Sequence, residues 1–275
     1  MLFLLKSAII EISKKMGGLF VTERYVQTVE RALDILEVLA SSRESFGVTE
    51  IGSKIGLHKS TVHRIIQTLC YRGYVEKEKD RERYRLGIKI AEVGNAFFNQ
   101  LEVRKVAERY LESLAKTFDE VVHLVLPDNG EVVFIDHKES SQLIGMHSKV
   151  GSRGYMHCTA VGKAILSTLP EEEVRLILQK KGMPRFTQQT ITDPEKLIEQ
   201  LKEIRKTGIA VAAEETEVGV INIGTPIYDY SGGTIGAISI SGPINRLMEK
   251  GIEKVGQEIK RVGQDISIRL GYSGR

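Results

Sequence analysis

Residues 48–73 read VTEIGSKIGLHKSTVHRIIQTLCYRG, and their spacing divides one short helix into two faces. Val62, Ile65, Ile66 and Leu69 fall at i, i+3, i+4 and i+7 and form an apolar stripe at helical pitch. Ser60, His63, Arg64 and Gln67 repeat that spacing on the opposite side with hydrogen-bonding groups alone. Just before them, Val48, Ile51 and Ile55 mark a second short amphipathic helix. It closes at Gly56, which can adopt the positive φ that a tight turn between crossed helices needs. Two helices in this order predict a helix-turn-helix.

The flanks extend that reading. Tyr74-Val75-Glu76-Lys77 and Arg83-Tyr84-Arg85-Leu86 are strand-like runs joined by the charged tip Glu78-Lys79-Asp80-Arg81-Glu82, which predicts a wing. Upstream, Val26, Val29, Ala32, Leu33, Leu36 and Leu39 predict a third helix whose stripe covers the other two. The chemistry suits DNA, because a helix in the major groove needs groups that bond base edges and others that reach phosphates. Arg64 can bond guanine in bidentate fashion and Gln67 adenine, with His63 on the same face. Lys59, Ser60 and Thr61 sit at the helix start, where free amides and the dipole favour a phosphate. Lys77, Lys79, Arg81 and Arg83 would follow the neighbouring backbone or minor groove. A polar stripe can also be a plain solvated helix face. Helix, turn and wing in the required order argue against that, as does the charge between Lys54 and Lys89, ten Lys or Arg against four Asp or Glu on a chain whose total is +3.

With 275 residues the chain has room for two domains, and a winged helix fills only part of it. Composition is that of an ordinary globular protein, 27% charged and 41% hydrophobic, with no internal repeat and no membrane-spanning apolar run. The first residues are apolar but broken by Lys6-Ser7 and lack a cleavage site, so a signal peptide is not expected; translation starting near Met16 is the alternative. Cys70 and Cys158 fall in different expected domains and give no disulfide framework, which suits a cytoplasmic protein. The expected division is an N-terminal extension (1–24), a winged helix-turn-helix (25–86), a linker helix (87–104) and a third part from 105 to 275.

In the linker, Ile88, Ile90, Ala91, Val93, Ala96, Phe97 and Phe98 are apolar on more than one side, which calls for a packing partner such as a second copy of the helix. A helix then runs from Glu102 through Thr117, and strands at 121–126 and 131–136 flank the turn Pro127-Asp128-Asn129-Gly130. Helices follow over 159–168, 171–180 and 194–206, the last with Asp193 as N-cap and Pro194 at its first position. Strands over 221–228 and 234–240 precede a final helix from about Leu247 to Arg269. Hairpins mixed with helices predict an α+β protein, an antiparallel sheet flanked by helices.

From about residue 25 to the end the chain resembles the IclR family of bacterial transcription regulators. The motifs are Val26-Gln27-Thr28-Val29-Glu30-Arg31-Ala32-Leu33, Lys59 to Arg64, Met156 to Leu166, Glu214-Glu215 with Gly219, Pro226 to Asp229 and Ala237 to Pro243. The resemblance implies a winged helix-turn-helix, a dimerising linker helix and a GAF-like effector domain. It further implies dimers or dimers of dimers, usually repressors, that bind an operator in double-stranded DNA and answer to a small molecule, often an organic acid. Carried over by motif, the effector pocket falls on Met146, Ala160, Val161, Asn222, Ser239 and Ser241. Amides at a helix start can hold a carboxylate without a buried cation, and Ser239 and Ser241 alternate onto one sheet face; the plainer reading is that the serines only satisfy buried backbone. Members that bind small 2-oxo acids carry an acidic residue where this chain has Ala212-Ala213 and a cysteine where it has Asn222, so a different ligand is expected. His58 stands where a serine often precedes the recognition helix, which implies weaker capping.

Other classes are less well supported. His157-Cys158 invites a nucleophile reading, but no third orienting group is evident and no enzyme activity is expected. His123, His137, His147, His157 and Cys158 match no metal-ligand spacing, so neither metal nor cofactor is expected. A purely architectural DNA-binding protein would not need so large a second domain.

Overall fold

Helix α1 (Gln27–Ala40) opens the first of two units into which the chain divides, Met1–Phe97 and Phe98–Arg275. The computed structural model describes residues 25–78, 81–141 and 149–274, so the N-terminal extension, Lys79 and Met146 lie outside the described residues. After α1 come β1 (Phe46–Gly47), α2 (Val48–Ile55), α3 (Lys59–Tyr71), β2 (Val75–Lys77) and β3 (Arg83–Leu86). Gly56 ends α2 at φ 68°, ψ 32°, and its left-handed backbone turns the chain into α3. Val62, Ile65 and Ile66 of α3 are buried against Val48, Ile51, Ile35, Val38 and Leu39, which makes the apolar stripe the core of this unit. The wing is a three-stranded antiparallel sheet in the order β1-β3-β2; its β1 edge, two residues long, carries too little pattern to be read from sequence.

Two expectations need correction. The stripe of α1 that meets the core is Ala32, Ile35, Leu36, Val38 and Leu39, whereas Val26, Val29 and Leu33 are more than half exposed on the other side. A helix apolar on two faces gives one periodic signal for both, and spacing alone does not say which face turns inward. The final helix is also two helices, α9 (Ile244–Lys250) and α10 (Ile252–Arg269), parted by Gly251 at φ 83°. Fully buried Glu120 fixes the first of them by accepting from Arg246 and Lys250 at 2.6 Å each.

The linker segment spans α4 (Lys89–Gln100), in which no residue is buried, and the start of α5 (Glu102–Phe118); Leu101 between them is extended at φ −74°, ψ 100°. The second unit is built on a six-stranded antiparallel sheet in the order β6-β5-β4-β9-β8-β7. Its strands are β4 (Val121–Asp128), β5 (Glu131–Lys138), β6 (Arg153–Tyr155), β7 (Ala210–Ala213), β8 (Val220–Tyr228) and β9 (Thr234–Pro243). Strand alternation sends Val122, Leu124, Ile221, Ile223, Ile238 and Ile240 to one face, under α5 and α10. The other face carries Val125, Val132 and Ala237 and packs on α6 (Ala160–Leu166), α7 (Glu171–Lys181) and α8 (Pro194–Thr207). Asp193 caps α8 through the Glu195 amide at 2.9 Å, and Asn129 (φ 52°) and Gly130 (φ 80°) make the tight turn between β4 and β5.

Candidate DNA-binding face and ligand cavity

On α3 the side opposite the core is exposed from end to end, with Lys59, Ser60, His63, Arg64 and Gln67 open to solvent and Thr61 half-buried. His58 makes no side-chain cap, so the first turn of α3 keeps its amides unclaimed by that residue. The wing cations behave differently from one another. Lys77 is bonded to Glu82 at 2.5 Å, and Arg85 pairs across the strands with Glu76 at 3.2 Å. Arg83 is half-buried, donating to the Ser45 carbonyl and to Glu50, whose other oxygen accepts the Gly47 amide at 2.8 Å. The Arg83 contact clamps β3 to the start of α2, and the Gly47 amide first, then Arg83, hold the Glu50 carboxyl below the usual carboxylate range. Arg81 is exposed at the tip. Arg64 and Gln67 are therefore presented to solvent by a helix packed on its opposite face, whereas Arg83 is committed to the wing itself.

In the second unit Ala160, Val161, Asn222, Ser239 and Ser241 line one cavity of about 360 Å³, a volume suited to a small ligand. It lies on the α6 side of the sheet, where the register sets Ser239 opposite His123 and Ser241 opposite both Val121 and Asn222. Thr159 caps α6 by accepting the Gly162 amide at 3.1 Å, and the Ala160 and Val161 amides stand outside the helical ladder. The remaining wall includes His123, Phe134, Tyr155, Cys158 and Phe186, with Arg153 also in the lining. Arg153 is already paired with Asp128 and, at 3.5 Å, with Glu131.

Sequence reading passed over His123 and Phe134 as cavity residues. Both lie in hairpin strands whose inward face is fixed only once β9 pairs with β4, and the signal was a polar ring inside the apolar run Val121-Val122-His123-Leu124-Val125. His123 is buried and its pKa is lowered to about 3, by burial first and then by the neighbouring charge of His137. Behind the cavity, Lys163 of α6 is fully buried and bonded to buried Glu215. Burial pulls the lysine down and pushes the carboxyl up, and their mutual attraction opposes both shifts.

His157 and Cys158 do not form a reactive pair. The His157 ring bonds the Pro184 carbonyl at 3.1 Å and packs against Tyr155 and Phe186, while the Cys158 thiol faces the Tyr155 carbonyl at 3.9 Å. Burial, and then Glu215, push the Cys158 thiol up to about 12, so it stays protonated and poorly nucleophilic. Among the described residues no three His, Cys, Asp or Glu gather as a metal-ligand group, and no helix is long and apolar enough to cross a membrane.

A winged helix-turn-helix with an exposed polar recognition face, followed by a helix-flanked sheet domain, defines a DNA-binding transcriptional regulator. The chain belongs to the IclR family: residues 95–268 match the family described as the bacterial transcriptional regulator IclR C-terminal domain, and residues 28–79 match the IclR helix-turn-helix domain. It is 30% identical to the HTH-type transcriptional regulator XynR of Escherichia coli (strain K12), over 90% of this chain and 98% of that protein. It is 32% identical to the HTH-type transcriptional repressor AllR of the same strain, over 91% of this chain and 93% of AllR. The crystal structure of Thermotoga maritima IclR shares the fold with a TM-score of 0.75 and 34% identity, covering 90% of this chain and all of that one. These relatives are regulators rather than enzymes.

Proposed function

We propose that this chain is a ligand-responsive repressor, whose winged domain grips an operator and whose C-terminal domain alters that grip on binding a small carboxylic acid. The observation that carries the reading is the cavity of about 360 Å³, which joins hydroxyls of Ser239 and Ser241, the Asn222 amide and the first turn of α6 to an aromatic wall. Such a lining supplies donors for an acid group and apolar surface for a short carbon frame. Repression follows the description of AllR. Self-association as a dimer or tetramer is supported by the outward apolar faces of α1 (Val29, Leu33) and α4 (Val93), each at least half exposed. An inverted-repeat operator would match that symmetry.

The test begins with operator selection from randomised duplex DNA, followed by gel-shift titration with and without members of a carboxylic-acid panel. If no panel member both stabilises the protein and changes its operator affinity, the ligand-responsive reading is wrong. Arg64→Ala should cost about 1–3 kcal/mol of operator binding and relax preference at one base pair. Arg81→Ala should instead weaken all sequences evenly and lower the salt slope by about one; equal loss of discrimination in both variants would contradict this division of roles. Ser239→Ala should weaken ligand binding by about five- to tenfold, the worth of one buried hydrogen bond. Its ligand-free operator affinity should stay within about twofold of the native value, because a ligand acts only through its differential affinity for the two states.

A further inference from the structure

We propose that His123 is the point at which the cavity reads a hydroxyl group, so that the effector is a hydroxylated small organic acid; this rests on the cavity being the effector site. His123 projects from β4 onto the cavity face, in register with Ser239 on one side and His137 on the other. It is 2% exposed. Its ring is held from two directions: Nδ1 lies 3.3 Å from the Ser241 hydroxyl, and the ring meets that of Phe134 edge to face, 5.3 Å between centroids. Among the described residues, the remaining ring nitrogen, Nε2, is buried with no protein hydrogen-bond partner. Buried polar atoms are normally paired; His137 Nδ1, across the strand, is orphaned too, but of the two residues only His123 lines the cavity, where a ligand atom could complete the set.

The chemistry of that atom follows from the state of the ring. Burial keeps the imidazole neutral, so one nitrogen donates and the other accepts. When Ser241 donates to Nδ1, Nε2 carries the proton and donates; when Nδ1 donates to Ser241, Nε2 accepts. A ligand hydroxyl satisfies either arrangement, because it is both donor and acceptor. A carboxylate accepts only, so it suits just one of the two tautomers and would bury its charge beside a ring that stays neutral; an ammonium donates only, suits just the other, and likewise brings an unpaired charge. A single hydroxyl, on a frame whose acid group is held elsewhere in the lining, fits the orphaned nitrogen best.

The test is calorimetric titration of the full chain with matched acids that differ by one hydroxyl, 3-hydroxybutyrate against butyrate and 3-hydroxybenzoate against benzoate. In at least one pair the hydroxy acid should bind about tenfold more tightly or better, since a site built to bond a hydroxyl discriminates against the analogue that lacks it. In His123→Phe that preference should collapse to within about twofold while the plain acid still binds, and His123→Asn, which keeps a donor and an acceptor, should retain part of it. In native protein carrying nitrogen-15 histidine, the Nε2 resonance of His123 should move with the hydroxy acid and not with its partner; this readout needs no variant to fold. Equal affinities within both pairs, or an undiminished preference in His123→Phe, would overturn the inference and leave the effector site standing. Failure of all four acids and of the wider panel to bind would remove the effector-site reading and this inference together.

Discussion

Replacing Lys163 with methionine is expected to lower the unfolding free energy of the C-terminal unit by about 3–5 kcal/mol, because it strands the Glu215 carboxylate in the interior. The lysine side chain is 0% exposed and its partner 6% exposed, so neither charge has solvent to fall back on. The Lys163 ammonium bonds one Glu215 oxygen, and the other, Oε2, lacks a partner of good geometry, so the nearby Ile191 amide is the weaker of the carboxylate's two stabilising neighbours. A double variant, Lys163→Met with Glu215→Leu, should recover most of the loss, since an apolar pair of similar volume avoids the desolvation of both ions. Urea unfolding of the two singles and the double gives the coupling directly. A single variant within about 1 kcal/mol of native would mean that the pair contributes nothing.

The same variant should acquire a distinctive pH response. Burial pushes the Glu215 carboxyl above its ordinary value of 4.5, and in Lys163→Met the opposing attraction is gone, so the folded state holds that proton more tightly than the unfolded chain. Stability is then fullest below about 4.5 and falls as the pH rises through the raised folded value. A Lys163→Met protein that gains stability as pH rises across that window would show that the carboxyl is not desolvated there.

The importance of that pair was not legible in the sequence. Lys163 sits in a run, Ala160 to Leu166, that reads as a helix, and a lone lysine in it looks like a solvent-facing residue. What buries it is the return of the chain 52 residues later, where Glu214 adopts φ 56° and the segment is clipped by Thr187 and Thr190, whose hydroxyls donate to the Glu214 and Glu215 carbonyls at 2.6 and 2.7 Å. Non-local closure of this kind leaves no periodic trace. The helix-turn-helix was readable for the opposite reason: its core, its turn and its polar face all lie within 26 residues and obey a single pitch. Ser239 and Ser241 could be placed on a common face from alternation alone, but that His123 joins them required the β4–β9 register. Strands β6 and β7, three and four residues long, are too short to carry a pattern and were missed.

The tight crossing of α2 and α3 leaves no room for a side chain at Gly52. Its amino-acid type was unremarked in the amphipathic pattern, yet a Cβ there would lie 2.6 Å from the Leu57 carbonyl oxygen and 3.7 Å from a methyl of Val62. The nearer atom is backbone and cannot swing aside. It belongs to the turn, where the Leu57 amide bonds the Gly52 carbonyl at 3.0 Å. Gly52→Ala must therefore push the turn away from α2, and α3 moves with it. The helix preference of alanine over glycine, about 1 kcal/mol, works in favour of the variant, and overpacking at a backbone contact costs about 1–3 kcal/mol or more. The overlap is more than a methyl can relieve by rotamer change, so the net effect should be destabilising. The displaced α3 should cost at least about tenfold in operator affinity, because base contacts tolerate little misplacement. Ligand binding in the second unit should be unchanged. Native operator affinity in Gly52→Ala, with native thermal stability, would mean that the turn yields freely and does not set the aim of the recognition helix.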